Sequence, residues 1–128
     1  MARSTRLPGE KQLFWVGSSK SDLLNFPEAV QDEIGIALSV AQFGGKHPKA
    51  KPWKGEGPGV LEIVGLQRRH LQSRVHREFE NAAYVLHAFQ KKSPKGASTA
   101  QTDVDLISRR LKIASEDYEE RYGKGKRQ

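Results

Sequence analysis

The chain has 128 residues and no cysteine, a length that suits one domain and a composition that excludes disulfide frameworks, thiolate metal sites and cysteine nucleophiles. With 22 Lys and Arg against 15 Asp and Glu, the net charge is +7 and the pI about 9.8, a balance suited to a polyanionic partner such as RNA, DNA or an acidic protein segment. No apolar stretch approaches the roughly 20 residues that span a bilayer, and the opening MARSTRLPGEKQ is charged without an apolar region, so the expectation is a soluble cytoplasmic protein with no membrane partner.

Residues 1–11 read as a flexible arm broken by Pro8 and Gly9, residues 12–122 as a single domain, and residues 123–128, GKGKRQ, as a basic tail. The aromatic-rich run Leu13 to Val16, closed by Gly17, Ser18 and Ser19, predicts a short strand entering a turn. Ser19 with Asp22 predicts a cap for one helical turn over Ser21 to Asn25. Pro27 at a first helical position, with Glu28 beside it, starts a longer helix; Val30, Ile34, Ala37, Leu38 and Ala41 share one face, and Gly44 and Gly45 supply the stop.

The next segment, KHPKAKPWKGEGPG over residues 46–59, carries Lys46, Lys49, Lys51 and Lys54 between prolines and glycines and predicts a basic loop rather than a regular core element. Val60 to Val64 and the almost continuous apolar run Ala82 to Gln90 predict strands. Between them, GLQRRHLQSRVHRE alternates only weakly through Leu71, Ser73 and Val75 and carries four arginines. Ser98 and Gln101 form a capping-box pattern before Val104, Ile107, Leu111, Ala114 and Tyr118, which predicts a terminal amphipathic helix stopped by Gly123. This order implies an α+β fold: a small antiparallel sheet with an N-terminal helical hairpin and a C-terminal helix. Helices are expected on one face, leaving the other free to gather basic side chains.

The sharpest local text is HAFQKKSPKG, from His87 to Gly96, at the end of the apolar run. On an extended chain His87, Phe89 and Lys91 project to one side, with Lys92 and Lys95 at or beyond the strand end. An imidazole, an aromatic ring and several ammonium groups suit RNA: the ring stacks on a base, the cations hold phosphate, and the imidazole moves protons. Cleaving RNA requires that the 2′-hydroxyl lose a proton, the 5′-oxygen gain one and the crowded phosphate be stabilised, so no cofactor or metal is called for. The plainer reading of the same residues is a packed strand histidine, solubilising lysines, a solvated 46–59 loop, a core Trp15 and a loop-anchoring Trp53. The chain has no phosphate-cradling Gly-rich loop, HExxH or nucleophile elbow, and His47, His70, His76 and His87 are too dispersed in sequence to suggest a metal set.

Taken together, LFWVGSSKSDLLNFPEAVQDEIGIALSVAQFGGKHPKAKPWKG, GVLEIV, YVLHAFQKKSPKG and the closing helix resemble the phage-derived HigB-like branch of the RelE/ParE toxin superfamily. The resemblance covers roughly Gln12 to Tyr122. It implies a microbial-RNase-like α+β fold and the toxin half of a type II toxin-antitoxin pair. It also implies metal-independent mRNA cleavage in the ribosome, restrained by a cognate antitoxin, expected to be a helix-turn-helix protein. Residue by residue, it points to His87 or Lys91 for proton transfer and to Lys51, Lys54 and Lys92 for phosphate charge, with Lys51 counted among the catalytic groups. Lys49, Arg74, Phe89 and Lys95 complete the expected RNA contacts. The same superfamily includes toxins that inhibit DNA gyrase, so that activity competes with the nuclease.

The departure from the family lies in Gly65 to Glu78, where a strand resembling GDTYRAVYTVRF is expected. A codon choice for GLQRRHLQSRVHRE exists that, read one nucleotide later, encodes VYSGDTYRAVYTV. This motivates the hypothesis that the segment is translated from a shifted frame bounded by two compensating indels. The alternative is ordinary divergence of a hairpin. Either way the segment is expected to form a strand central to the sheet, where its arginines weaken packing and remove site residues. A degenerate, inactive relative is therefore the other competing reading.

Overall fold

The computed structural model describes residues 7–45, 47–48, 50–55, 57–91 and 99–123. Its elements run β1 (Gln12–Trp15), α1 (Ser19–Leu24), α2 (Glu28–Gln42), β2 (Ala50–Pro52), β3 (Val60–Val64), β4 (Leu71–His76), β5 (Ala82–Gln90) and α3 (Gln101–Tyr122). The result is a mixed α and β fold around one five-stranded sheet of order β1-β5-β4-β3-β2, so the arginine-bearing β4 is indeed its central strand.

The local signals around α2 work as the sequence predicts. Val30, Ile34, Ala37, Leu38 and Ala41 are all buried, and Pro27 takes the N-cap, one position before the expected one. Gly44 adopts φ +77°, its N–H bonds to the Ala41 carbonyl and that of Gly45 to the Val40 carbonyl, closing the helix with a Schellman motif. The terminal helix buries Ile107, Ala114 and Tyr118, with Ala100 at its N-cap, while Ser98 of the expected capping box lies outside the described residues.

Four expectations are corrected. First, the sheet is mixed: β1 runs parallel to β5, with Gln12 opposite Ala82 and Trp15 opposite Val85. Second, the basic loop contains β2, which pairs antiparallel with β3. Pro52 is tolerated there because β2 is an edge strand that needs no second ladder of N–H groups. Third, α1 and α2 do not form a simple hairpin. The short α1 packs chiefly on β5, and the Ser19 hydroxyl, expected as a cap, is buried and donates to the Val85 carbonyl at 3.1 Å. Fourth, helices cover both faces. Leu23 and the α2 stripe pack with Leu61, Ile63, Leu71, Val75, Ala83 and Val85 on one side. On the other, Val60, Phe79, Tyr84 and Leu86 pack with Ile107, Ala114 and Tyr118 of α3. The face left for basic side chains is therefore the part of the α3 side that α3 does not cover.

β4 reconciles its charges with a central position by sorting them. Leu71, Ser73 and Val75 take the α2 side, Arg68 and Arg69 stay exposed before the strand, and Arg77, just beyond it, bonds the Gly44 and Gly45 carbonyls at 3.0 and 2.9 Å. Arg74 and His76 alternate onto the α3 side.

Candidate functional site

The ladder registers align one residue from each of four strands: Lys51 opposite Glu62, Glu62 opposite Arg74, and Arg74 opposite His87. Directly paired residues point to the same face, so this line of alternating charge crosses the α3 side of the sheet. A bulge sets its last member. Val75 pairs with Val85 and Arg74 with His87, leaving Leu86 as the extra residue. Strict alternation would have grouped His87 with Ala83 and Val85 on the α2 side; the bulge turns it toward α3 instead.

Arg74 is fully buried, an uncommon state for arginine. Its guanidinium lies 5.3 Å from the Trp53 ring and 5.0 Å from the Phe89 ring, held between two π faces. One terminal nitrogen donates to the Ser73 carbonyl at 3.1 Å; the other donates to Gln72 Oε1 at 3.0 Å and Thr99 Oγ1 at 3.3 Å. Glu62 is the nearest anion at 3.8 Å, and Nε has no partner among the described residues. Burial pulls the Arg74 pKa down to about 10 against the attraction of Glu62 and Asp103, so the group is still charged at neutral pH.

His87 is held as tightly. Nε2 lies 2.8 Å from Asp103 Oδ1 in the first turn of α3, and the imidazole stacks on Phe89 with centroids 4.5 Å apart and planes 8° from parallel. Burial lowers its pKa, an effect that the bond to Asp103 opposes only in part, so the ring is neutral at pH 7 and able to accept a proton. Its Nδ1 is buried with no hydrogen-bond partner among the described residues.

Among the other expected site residues, Lys51 and Lys54 are exposed at the rim. Lys91 follows β5 half-buried, its backbone N–H bonded to the His70 carbonyl at 2.6 Å. Phe89 is buried, with its ring engaged by His87 and Arg74 rather than presented to solvent. Lys49, Lys92 and Lys95 lie outside the described residues. Trp53 anchors its loop as expected, with its N–H on the Val60 carbonyl, and also walls an open cleft of about 900 Å³ shared with His76, Phe79 and Leu111.

Asp103 was not legible from local text. It sits four residues before Ile107, on the buried stripe of α3, and a carboxylate on an apolar stripe is the one signal that could have found it.

The sequence of residues 21–112 matches the family described as Phage derived protein Gp49-like (DUF891). Comparison with curated proteins gives no match. The matched span takes in α2, the whole β2–β5 sheet and the first half of α3, including Lys51, Arg74, His87 and Asp103. The chain belongs to this Gp49-like phage-derived family, a RelE-like toxin family.

Proposed function

We propose that the protein is the HigB-like toxin component of a type II toxin-antitoxin pair, a metal-independent mRNA endoribonuclease that acts at the ribosome in the cytoplasm. A small helix-turn-helix antitoxin would restrain it by covering the basic face. The observation that carries this reading is the cross-sheet line Lys51–Glu62–Arg74–His87 within a chain of a RelE-like toxin family. It brings a neutral imidazole to the same face as two fixed cations, the combination that phosphodiester cleavage asks for.

In that chemistry the 2′-oxygen attacks phosphorus as its proton passes to a base, the phosphorus–O5′ bond breaks, and O5′ takes up a proton from an acid. His87 is the base candidate because it is neutral at pH 7. Lys91, next to the same strand end, is the candidate acid. Lys51 and Lys54, exposed at the rim, offer phosphate contacts. Glu62 and Asp103 keep the buried Arg74 electrostatically tolerable, leaving its charge near the line where phosphate would lie.

One observation favours the second reading, an inactive homologue that retains antitoxin binding: the guanidinium of Arg74 is wholly covered by Trp53, Phe89 and its protein partners. Induced expression followed by primer extension on cellular mRNA separates the two. Ribosome-dependent cuts that vanish in His87→Ala and Lys91→Ala variants support the nuclease. Intact mRNA with gyrase-linked DNA damage replaces it with gyrase inhibition, and no effect of the wild-type chain in either assay supports the inactive homologue.

A further inference from the structure

We infer that Asp103 is a positioning residue: it locks His87 in the tautomer that carries its proton on Nε2, leaving the basic lone pair on Nδ1. This deepens the nuclease reading above and rests on it for its catalytic meaning, but the positioning itself is a property of the folded chain.

The argument starts from the contact. At 2.8 Å, Nε2 and Asp103 Oδ1 share a hydrogen bond, and an ionised carboxylate can only accept. The proton must therefore sit on Nε2. In a neutral ring that assignment leaves Nδ1 without one, and Nδ1 is the atom found buried and unpartnered among the described residues. A buried acceptor with nothing to accept from is costly, and such groups persist where a function or a ligand completes them. A donor hydroxyl, such as the 2′-hydroxyl of a ribose, is the chemistry that would complete this one.

The surroundings support a neutral ring held in one orientation. The Phe89 stack fixes the ring plane, and the cross-strand partner Arg74 brings a positive charge from β4. Arg110 of α3, whose guanidinium bonds the Leu86 carbonyl at 2.9 Å, adds a second. Asp22 of α1 acts in the opposite sense at longer range. Asp103 also raises the Arg74 pKa, so a single carboxylate at the start of α3 both orients the imidazole and offsets the buried guanidinium. That is the carboxylate–imidazole logic by which a third group selects the tautomer of a general base.

The test reads the tautomer directly. In uniformly ¹⁵N-labelled protein at pH 7, long-range proton–nitrogen correlation should show His87 Nε2 as the protonated, pyrrole-type nitrogen and Nδ1 as the pyridine-type one. Asp103→Asn keeps the shape but replaces the acceptor with an amide that can donate to Nε2, so the two nitrogens should exchange character. Asp103→Glu should restore the wild-type pattern if its carboxylate reaches. In the mRNA cleavage assay Asp103→Asn should lose about a hundredfold or more of the rate, with an unfolding midpoint close to that of the wild type. A wild-type ring protonated on Nδ1, or a tautomer unchanged in Asp103→Asn, overturns the positioning role. A tautomer that inverts while cleavage persists, in a protein whose His87→Ala variant is dead, overturns its catalytic meaning. If the wild-type chain cleaves nothing, the nuclease reading fails, and the nitrogen spectra still decide what Asp103 does to His87.

Discussion

His76 gives the fold a quantifiable acid sensitivity. At the end of β4 its ring lies 4.5 Å from that of Phe79, buried on the α3 side, and its Nδ1 has no hydrogen-bond partner among the described residues. Burial, reinforced by the Lys11 ammonium, lowers its pKa from 6.5 to about 4. Between those values the unfolded chain binds a proton that the native state refuses, so the contribution is fully present above pH 6.5 and is lost as pH falls toward 4. The complete gap amounts to about 3 kcal/mol, of which about 2 kcal/mol is lost between pH 7 and pH 5. His76→Phe keeps the aromatic contact with Phe79 and removes the titrating group. Urea unfolding of both proteins at pH 7 and pH 5 should show the wild type losing about 2 kcal/mol more than the variant, with equal denaturant slopes. His87, whose pKa is lowered in the same direction, contributes to both proteins and cancels in the difference. Equal losses in the two proteins would refute the reasoning.

The other predictions concern charge and conformation. Because burying the Arg74 guanidinium costs much of what its aromatic and hydrogen-bond partners return, Arg74→Met should unfold within about 1 kcal/mol of wild type or be more stable. Arg74→Ala, which leaves a void between Trp53 and Phe89, should lose about 2–4 kcal/mol; urea melts of both check this. Gly44→Ala should cost about 1 kcal/mol through its φ of +77° alone, since an added Cβ meets nothing within 4 Å, and Gly44→Asn should cost less. Lys51→Ala and Lys54→Ala, both exposed, should leave thermal stability within about 0.5 kcal/mol. Each should lower RNA affinity and reduce the slope of log affinity against log salt by about 1, as measured by filter binding across a salt series. The nucleotide sequence of codons 65–78 tests the shifted frame: its next frame should encode text like TYRAVYTV, and any other text removes the idea.

What the sequence revealed depended on whether the cause was local. Helix α2 could be placed almost to the residue because its apolar stripe and its Gly44–Gly45 stop lie within one stretch. β2 was hidden because Pro52 and the surrounding glycines read as loop, whereas its pairing is supplied by β3. The parallel docking of β1 against β5 leaves no mark on either segment. His87 was singled out from its own neighbours, but the bulge at Leu86 that sets its face, and Asp103 sixteen residues away, belong to the assembled sheet and helix. Arg74 was expected as an RNA contact on the strength of its charge; that a sheet centre would enclose it between two rings follows only from the register.

The parallel pairing of β1 with β5 also governs the order in which the fold can be made. Gln12 meets Ala82 only after the intervening seventy residues have been arranged, so β1 pays a large loop-closure entropy if it docks early. The β2–β3–β4–β5 meander, whose neighbours are joined by short antiparallel connections, can form without it. On a ribosome, β1 would leave the exit tunnel long before its partner and wait unpaired, with Leu13 and Trp15 still uncovered. Refolding should accordingly be limited by this closure rather than by the helices, and the amides of β1 should gain hydrogen-exchange protection after those of β3 and β4.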